Sequence, residues 1–135
     1  MRFISMVKSA EANAAPPPKA FLDAMGRLTE EVAKAGCVMI QAEGLLPTPM
    51  GARVRLADSK VTVTDGPFTE AKEVVGGFAI FEVQSKAQIL DVARRFLDLH
   101  KIHIPGWEGE IEIRQIAGPG EKLCDQAHET EAAAV

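Results

Sequence analysis

The sequence predicts an α+β protein in which two β-α-β units share one antiparallel sheet. Three observations carry that prediction. Apolar residues recur with the helical period behind Pro18 and again behind Ser85. Short runs of alternating or continuously apolar residues flank both segments, as strands do. Gly and Pro separate the segments at positions where neither a helix nor a central strand continues. At 135 residues the chain fits one domain, and 47% apolar composition suffices for a core.

Residues 2–8 read as a first strand, followed by a small-residue loop that ends in Pro16-Pro17-Pro18. A helix starts near Lys19. Phe21, Met25, Leu28 and Val32 form its apolar stripe, and Gly36 stops it. Residues 37–43 form the second strand, and residues 44–51, with Pro47 and Pro49, form a loop. Two further strands, 53–57 and 60–64, meet at an Asp58-Ser59 turn. Val54 and Leu56 alternate with Arg53 and Arg55, and Val61 and Val63 with Thr62 and Thr64, so a hairpin with one dry face is expected.

A loop from Asp65 to Gly77 leads into a strand at 78–83. Ser85 with Gln88 predicts a capping box. The helix behind it places Ile89, Ala93, Phe96 and His100 on one stripe, and Pro105 ends it. Residues 110–116 alternate strictly and form the last strand. With the hairpin set aside as an insertion, the order is that of a ferredoxin-like fold, βαββαβ, with both helices on one face of the sheet. The other face then needs cover, and a second copy of the sheet supplies it most simply, which predicts a homodimer. The expected division is a domain at 1–117 and an acidic tail at 118–135.

Charge narrows the function classes. The net charge is −4, and four acids against Lys122 put −3 of it in the tail. A near-neutral body without a basic run argues against nucleic acid as partner. No apolar run approaches the length needed to cross a bilayer, and no signal peptide is visible, so a cytoplasmic protein is expected. Cys37 and Cys124 have no metal or redox spacing; Cys37 reads as a buried thiol. No nucleotide fingerprint, serine elbow or zinc pattern occurs, so neither a cofactor nor a metal is expected.

Six residues stand out as site candidates. Asp65 ends a strand before Gly66-Pro67, where a carboxylate serves as a general base or caps its own turn. Glu43 ends an apolar strand, and an acid half-buried there needs a partner. His103 heads the loop that presents Trp107, and it is a further candidate base. His100 and His103 share a His-x-x-His spacing, but without a third ligand the reading is a pair at a helix C-terminus, where histidine is favoured. Lys72 reads as an anchor for an anionic ligand or as a solvated charge. Phe68 reads as a stacking surface or a hydrophobic plug. Trp107 lines a pocket or covers a dimer seam.

The stretch 61–78, with Asp65-Gly66-Pro67-Phe68, the Glu70-x-Lys72-Glu73 pattern and Gly76-Gly77-Phe78, resembles the DGPF group of the YCII-related superfamily. Ala35-Gly36, Glu43-Gly44-Leu45 and residues 110–114 match as well, and the resemblance covers roughly 1–116. It implies a dimeric ferredoxin-like α+β barrel of bacterial type. It also implies a context beside alternative sigma factors, and so a transcription-related partner. Similar proteins act on small organic acids and lactones, some through a His-Asp pair. Asp65 matches the acid of that pair, and Glu43 stands where some relatives have the histidine. Two readings follow: an enzyme that moves a proton with Asp65, or a non-catalytic ligand-binding or regulatory module.

Overall fold

The computed structural model describes residues 1–11 and 15–118. Its elements are β1 (Arg2–Ser9), α1 (Lys19–Lys34), β2 (Val38–Gly44), β3 (Ala52–Ala57), β4 (Lys60–Asp65), β5 (Val74–Glu82), α2 (Lys86–His103) and β6 (Gly109–Gln115). A single 3₁₀ turn, Thr48–Met50, interrupts the loop after β2. The main sheet is antiparallel with strand order β2-β5-β1-β6, and β3 and β4 form a separate two-stranded sheet. This is the expected ferredoxin-like order with an inserted hairpin. The acidic tail and Cys124 lie outside the described residues, apart from Gly118 at the border.

The register sets the two faces of the sheet. Phe3 pairs with Phe81, and Ser5 with both Ala79 and Ile113, so these side chains share one face. Both helices cover that face. Phe3, Leu28, Val32, Cys37, Phe81, Val83, Ile89 and Val92 form the buried cluster. Ile89 is 1% exposed, and burying a side chain of that size contributes about 1.5–3 kcal/mol. Burial also pushes the Cys37 thiol above its ordinary pKa, which keeps it protonated and inert. Arg95 of α2 reaches Glu31 of α1 at 2.8 Å across the outside of the helix layer. The opposite sheet face carries Ile4, Met6, Phe78 and Ile80, all partly exposed.

Two local expectations change. β5 starts at Val74, so Gly76 and Gly77 lie inside a strand rather than in a loop. Gly77 pairs with Gly44, and a Cβ on it would sit 3.0 Å from the Glu43 carbonyl oxygen, so close strand approach explains this glycine. α2 runs on through His103, one turn past His100, before Pro105 ends it. The cap of α2 is as expected on one side: the Gln88 N–H donates to Ser85 Oγ at 3.2 Å. The return bond goes from the Gln84 N–H to Gln88 Oε1 at 2.9 Å. Gln88 Nε2 also donates to the Ala35 carbonyl, which ties the start of α2 to the end of α1.

The hairpin turns at Asp58 and Ser59, whose φ values of 51° and 61° are those of a two-residue primed turn. Val54 pairs with Val63 and Leu56 with Val61, which puts all four on one face. They are 68–73% exposed, so no described residue of the chain covers the dry face of the hairpin.

Candidate functional site

The motif segment 65–70 is bound to the rest of the chain by a set of short contacts. Asp65 is the last residue of β4, opposite Ala52. The Gly66 N–H donates to the Gly51 carbonyl at 2.9 Å. The backbone of Gly66 lies so close to the Thr48 carbonyl that a Cβ there would overlap it, which explains why glycine occupies the position. Thr48 is held in turn by Glu11, whose carboxylate accepts from the Thr48 N–H at 2.6 Å and from its hydroxyl at 2.7 Å. Thr48 Oγ1 also accepts from the Phe68 N–H at 3.2 Å.

The Phe68 ring is capped by the Arg53 guanidinium, 3.8 Å from its centroid, and Arg53 also bonds Glu70. A backbone hydrogen bond at Glu70 itself, then the Arg53 side chain, hold the Glu70 carboxyl below the usual carboxylate range. Phe68 is thereby held in a clasp of side chains. Asp65 is exposed and makes no ion pair or side-chain hydrogen bond among the described residues.

A second feature is a chamber of about 290 Å³ between the helices and the sheet. Missing side chains create it. Ala42, Gly44, Gly77 and Ala79 form its floor on the sheet, and a Cβ on Gly44 would meet nothing within 4 Å. Met25, Leu28 and Val32 of α1 and Ile89, Val92 and Phe96 of α2 form its roof. Two hydroxyls face the space, and both donate to carbonyls: Ser5 Oγ to Ala79 at 3.4 Å and Thr29 Oγ1 to Met25 at 2.9 Å. Among the described residues no Lys, Arg or His lines it, and Glu43 is its one charged wall residue. Strand alternation turns the Glu43 side chain toward the opposite sheet face, so its backbone forms that part of the wall.

The third feature is an open groove at the C-terminal end of α2. It brings together Lys72 and Trp107, and it also holds His100, Lys101, Glu73, Glu108 and Glu110. His103 lies outside this groove, its ring 6.4 Å from that of Phe21. His100 is the buried histidine, 7% exposed, with Phe21, Phe96 and Trp107 ring centroids at 4.6, 4.7 and 4.2 Å. Burial lowers its pKa, opposed in part by the bond to the Phe96 carbonyl.

The six candidates therefore fall into four places. Asp65 and Phe68 are at the clasp, Glu43 is on β2, Lys72 and Trp107 share the groove, and His103 stands beside Phe21 outside it. No hydrogen bond or ion pair joins any two of Asp65, Glu43 and His103. The chamber was invisible from sequence motifs, because its signature is small residues on facing strands, Ala42-x-Gly44 and Gly77-x-Ala79, which are informative only once their pairing is known.

Comparison with known proteins agrees with the architecture. The chain is 36% identical over 102 residues to an uncharacterised protein of Rhizobium meliloti (strain 1021), a match covering 74% of this chain and 75% of that one. The model of the YCII-related domain matches residues 1–97, which include both strands of the hairpin, the clasp and most of the chamber wall. With the strand order, the inserted hairpin and this match in agreement, the chain belongs to the YCII-related family.

Proposed function

We propose that this protein binds a small, predominantly apolar organic molecule in the chamber beneath its helices. The chamber itself carries the reading: about 290 Å³ of apolar, partly open space stands where native cores are close-packed. It is about twice the roughly 150 Å³ that accommodates benzene. Absence of a cationic wall residue disfavours a buried carboxylate, whose desolvation would be uncompensated. A neutral lactone, ester or ketone fits better, since the Ser5 and Thr29 hydroxyls rotate to donate to its carbonyl. Within the organic acids and lactones, the chamber therefore favours the lactones. The test is a thermal-shift and calorimetric series that compares a neutral lactone of eight to ten carbons with the hydroxy acid from its ring opening. Saturable binding of the lactone alone is expected; equal binding of the two, or of neither, would contradict the reading.

The uncovered hairpin favours a homodimer as the working form. Four apolar side chains, each about 70% exposed on one face, are costly to leave in water and invite a second copy. Asp65 pairs with Ala52 on that same face, at the foot of the hairpin. That position beside the apolar face of the hairpin is the one observation that favours proton transfer by Asp65. Light scattering at micromolar concentration should give twice 14.5 kDa, and a single-chain mass would remove both ideas.

A further inference from the structure

The groove at the end of α2 is distinct from the chamber, and most of its lining lies beyond the residues matched by the family model. Its chemistry starts from His100. Nδ1 lies 3.0 Å from the Phe96 carbonyl oxygen, and a carbonyl only accepts, so the proton sits on Nδ1. Nε2 is then a bare lone pair. It has no hydrogen-bond partner among the described residues, and no buried polar side-chain atom among them lacks one. Nε2 therefore reaches solvent, and the groove is the space that His100 lines.

The ring is rigid. Phe21, Phe96 and Trp107 pack around it, so the acceptor has a fixed direction. Trp107 lies in the same wall and offers an aromatic surface, and Gly109 beside it has no Cβ because one would overlap the indole. The charges of the lining come from Lys72, Lys101, Glu73, Glu108 and Glu110. Two cations against three carboxylates leave no strong field for either sign.

We propose that this groove is a second small-molecule site, specific for a neutral aromatic ring that carries one hydrogen-bond donor, the phenol class, with the O–H donated to His100 Nε2 and the ring set against Trp107. The groove rejects a phenolate, which has no proton to give. It also rejects the protonated imidazole as host, since Nε2–H donates instead of accepting. Binding is therefore lost as pH falls through the His100 pKa, which burial places below the ordinary histidine value. Lys101 on α2, Lys72 and Glu73 on the loop before β5, and Glu108 and Glu110 around the start of β6 are the charged groups that face this position.

Phenol and anisole make the decisive pair, because they share the ring and differ in the donor. Trp107 is the only tryptophan, so its indole N–H resonance reports the groove directly, and the ¹⁵N resonance of His100 Nε2 reports the bond. Phenol should bind saturably and about tenfold more tightly than anisole, the effect of one neutral hydrogen bond. The Nε2 resonance should move with phenol and stay with anisole. His100→Phe should bring phenol down to the level of anisole. If that variant fails to fold, the phenol–anisole difference and the Nε2 shift in the native protein still decide. Ala42→Leu, which adds three carbons at the chamber floor, should leave phenol binding unchanged. Equal affinities for the two compounds, or loss of phenol binding on Ala42→Leu, would overturn the proposal, the latter by moving phenol into the chamber.

Discussion

Around residues 65–70 the polar groups are spent within the chain, whereas the chamber under the helices is a space that side chains leave empty. In the clasp, Glu11, Thr48, Phe68, Arg53 and Glu70 engage one another, Gly66 bonds Gly51, and the Asp65 carboxylate is left over. In the chamber, alanine and glycine face one another across β2 and β5, and the two hydroxyls present are engaged only by carbonyls. The difference teaches that the motif-rich segment and the ligand-sized space are separate parts of the molecule. The clasp holds the root of the hairpin, and the chamber provides the volume.

The strongest way to break this contrast is Gly66→Ala. Its Cβ would overlap the Thr48 carbonyl, and backbone on both sides must move. A loss of about 3 kcal/mol or more in urea unfolding is expected. A loss below about 1 kcal/mol would show that the clasp is loose. Thr48→Val comes next. It removes the hydroxyl that donates to Glu11 and accepts from the Phe68 N–H, so about 1–2 kcal/mol should go. If Thr48→Val is neutral, the Glu11–Thr48–Phe68 chain does not secure the segment.

The pH dependence of stability sharpens the comparison at the edge of the helix layer. His100 has a folded pKa below its unfolded value of about 6.5, because burial disfavours the imidazolium. The folded state then binds fewer protons than the unfolded one. Its contribution is complete above pH 6.5 and is lost as pH falls through the folded value. Wild type should therefore lose stability relative to His100→Phe between pH 7 and pH 5, and Trp107 emission should change over the same range. Parallel curves for the two proteins would show that burial does not govern this histidine. The smallest effect belongs to Asp65→Asn: an exposed group without a partner should change stability by no more than about 0.5 kcal/mol.

Much of the fold was legible in the sequence, and the reasons are local. The stripe Phe21, Leu28 and Val32 is buried as its period requires, and the Asp58-Ser59 turn sits between the strands where the alternation reverses. Gly36 stops α1 as expected, but at a second glycine position the reading failed. Gly76-Gly77 looks like the end of a loop, yet it lies in β5, because the reason for Gly77 is a neighbouring strand 34 positions earlier. The site was less legible for the same reason. Lys72 and Trp107 were recognisable as candidates, but only the fold brings them together with His100. Phe68 was readable as a ring with two uses, and only the fold sets the Arg53 guanidinium over it. The chamber has no motif at all, since it is defined by atoms that are missing.

The central claim is that the space over Ala42 and Gly44 binds the ligand. Ala42→Leu tests it most directly, because three added carbons project into the chamber from its floor and bury further apolar area at about 0.8 kcal/mol for each CH₂ that fits. Lactone binding should be measured by calorimetry in wild type and variant, with thermal unfolding recorded on the same samples. The expected result is a variant at least as stable as wild type to within about 1 kcal/mol that has lost lactone binding. A folded variant that binds the lactone with unchanged affinity would contradict the claim and place the ligand elsewhere.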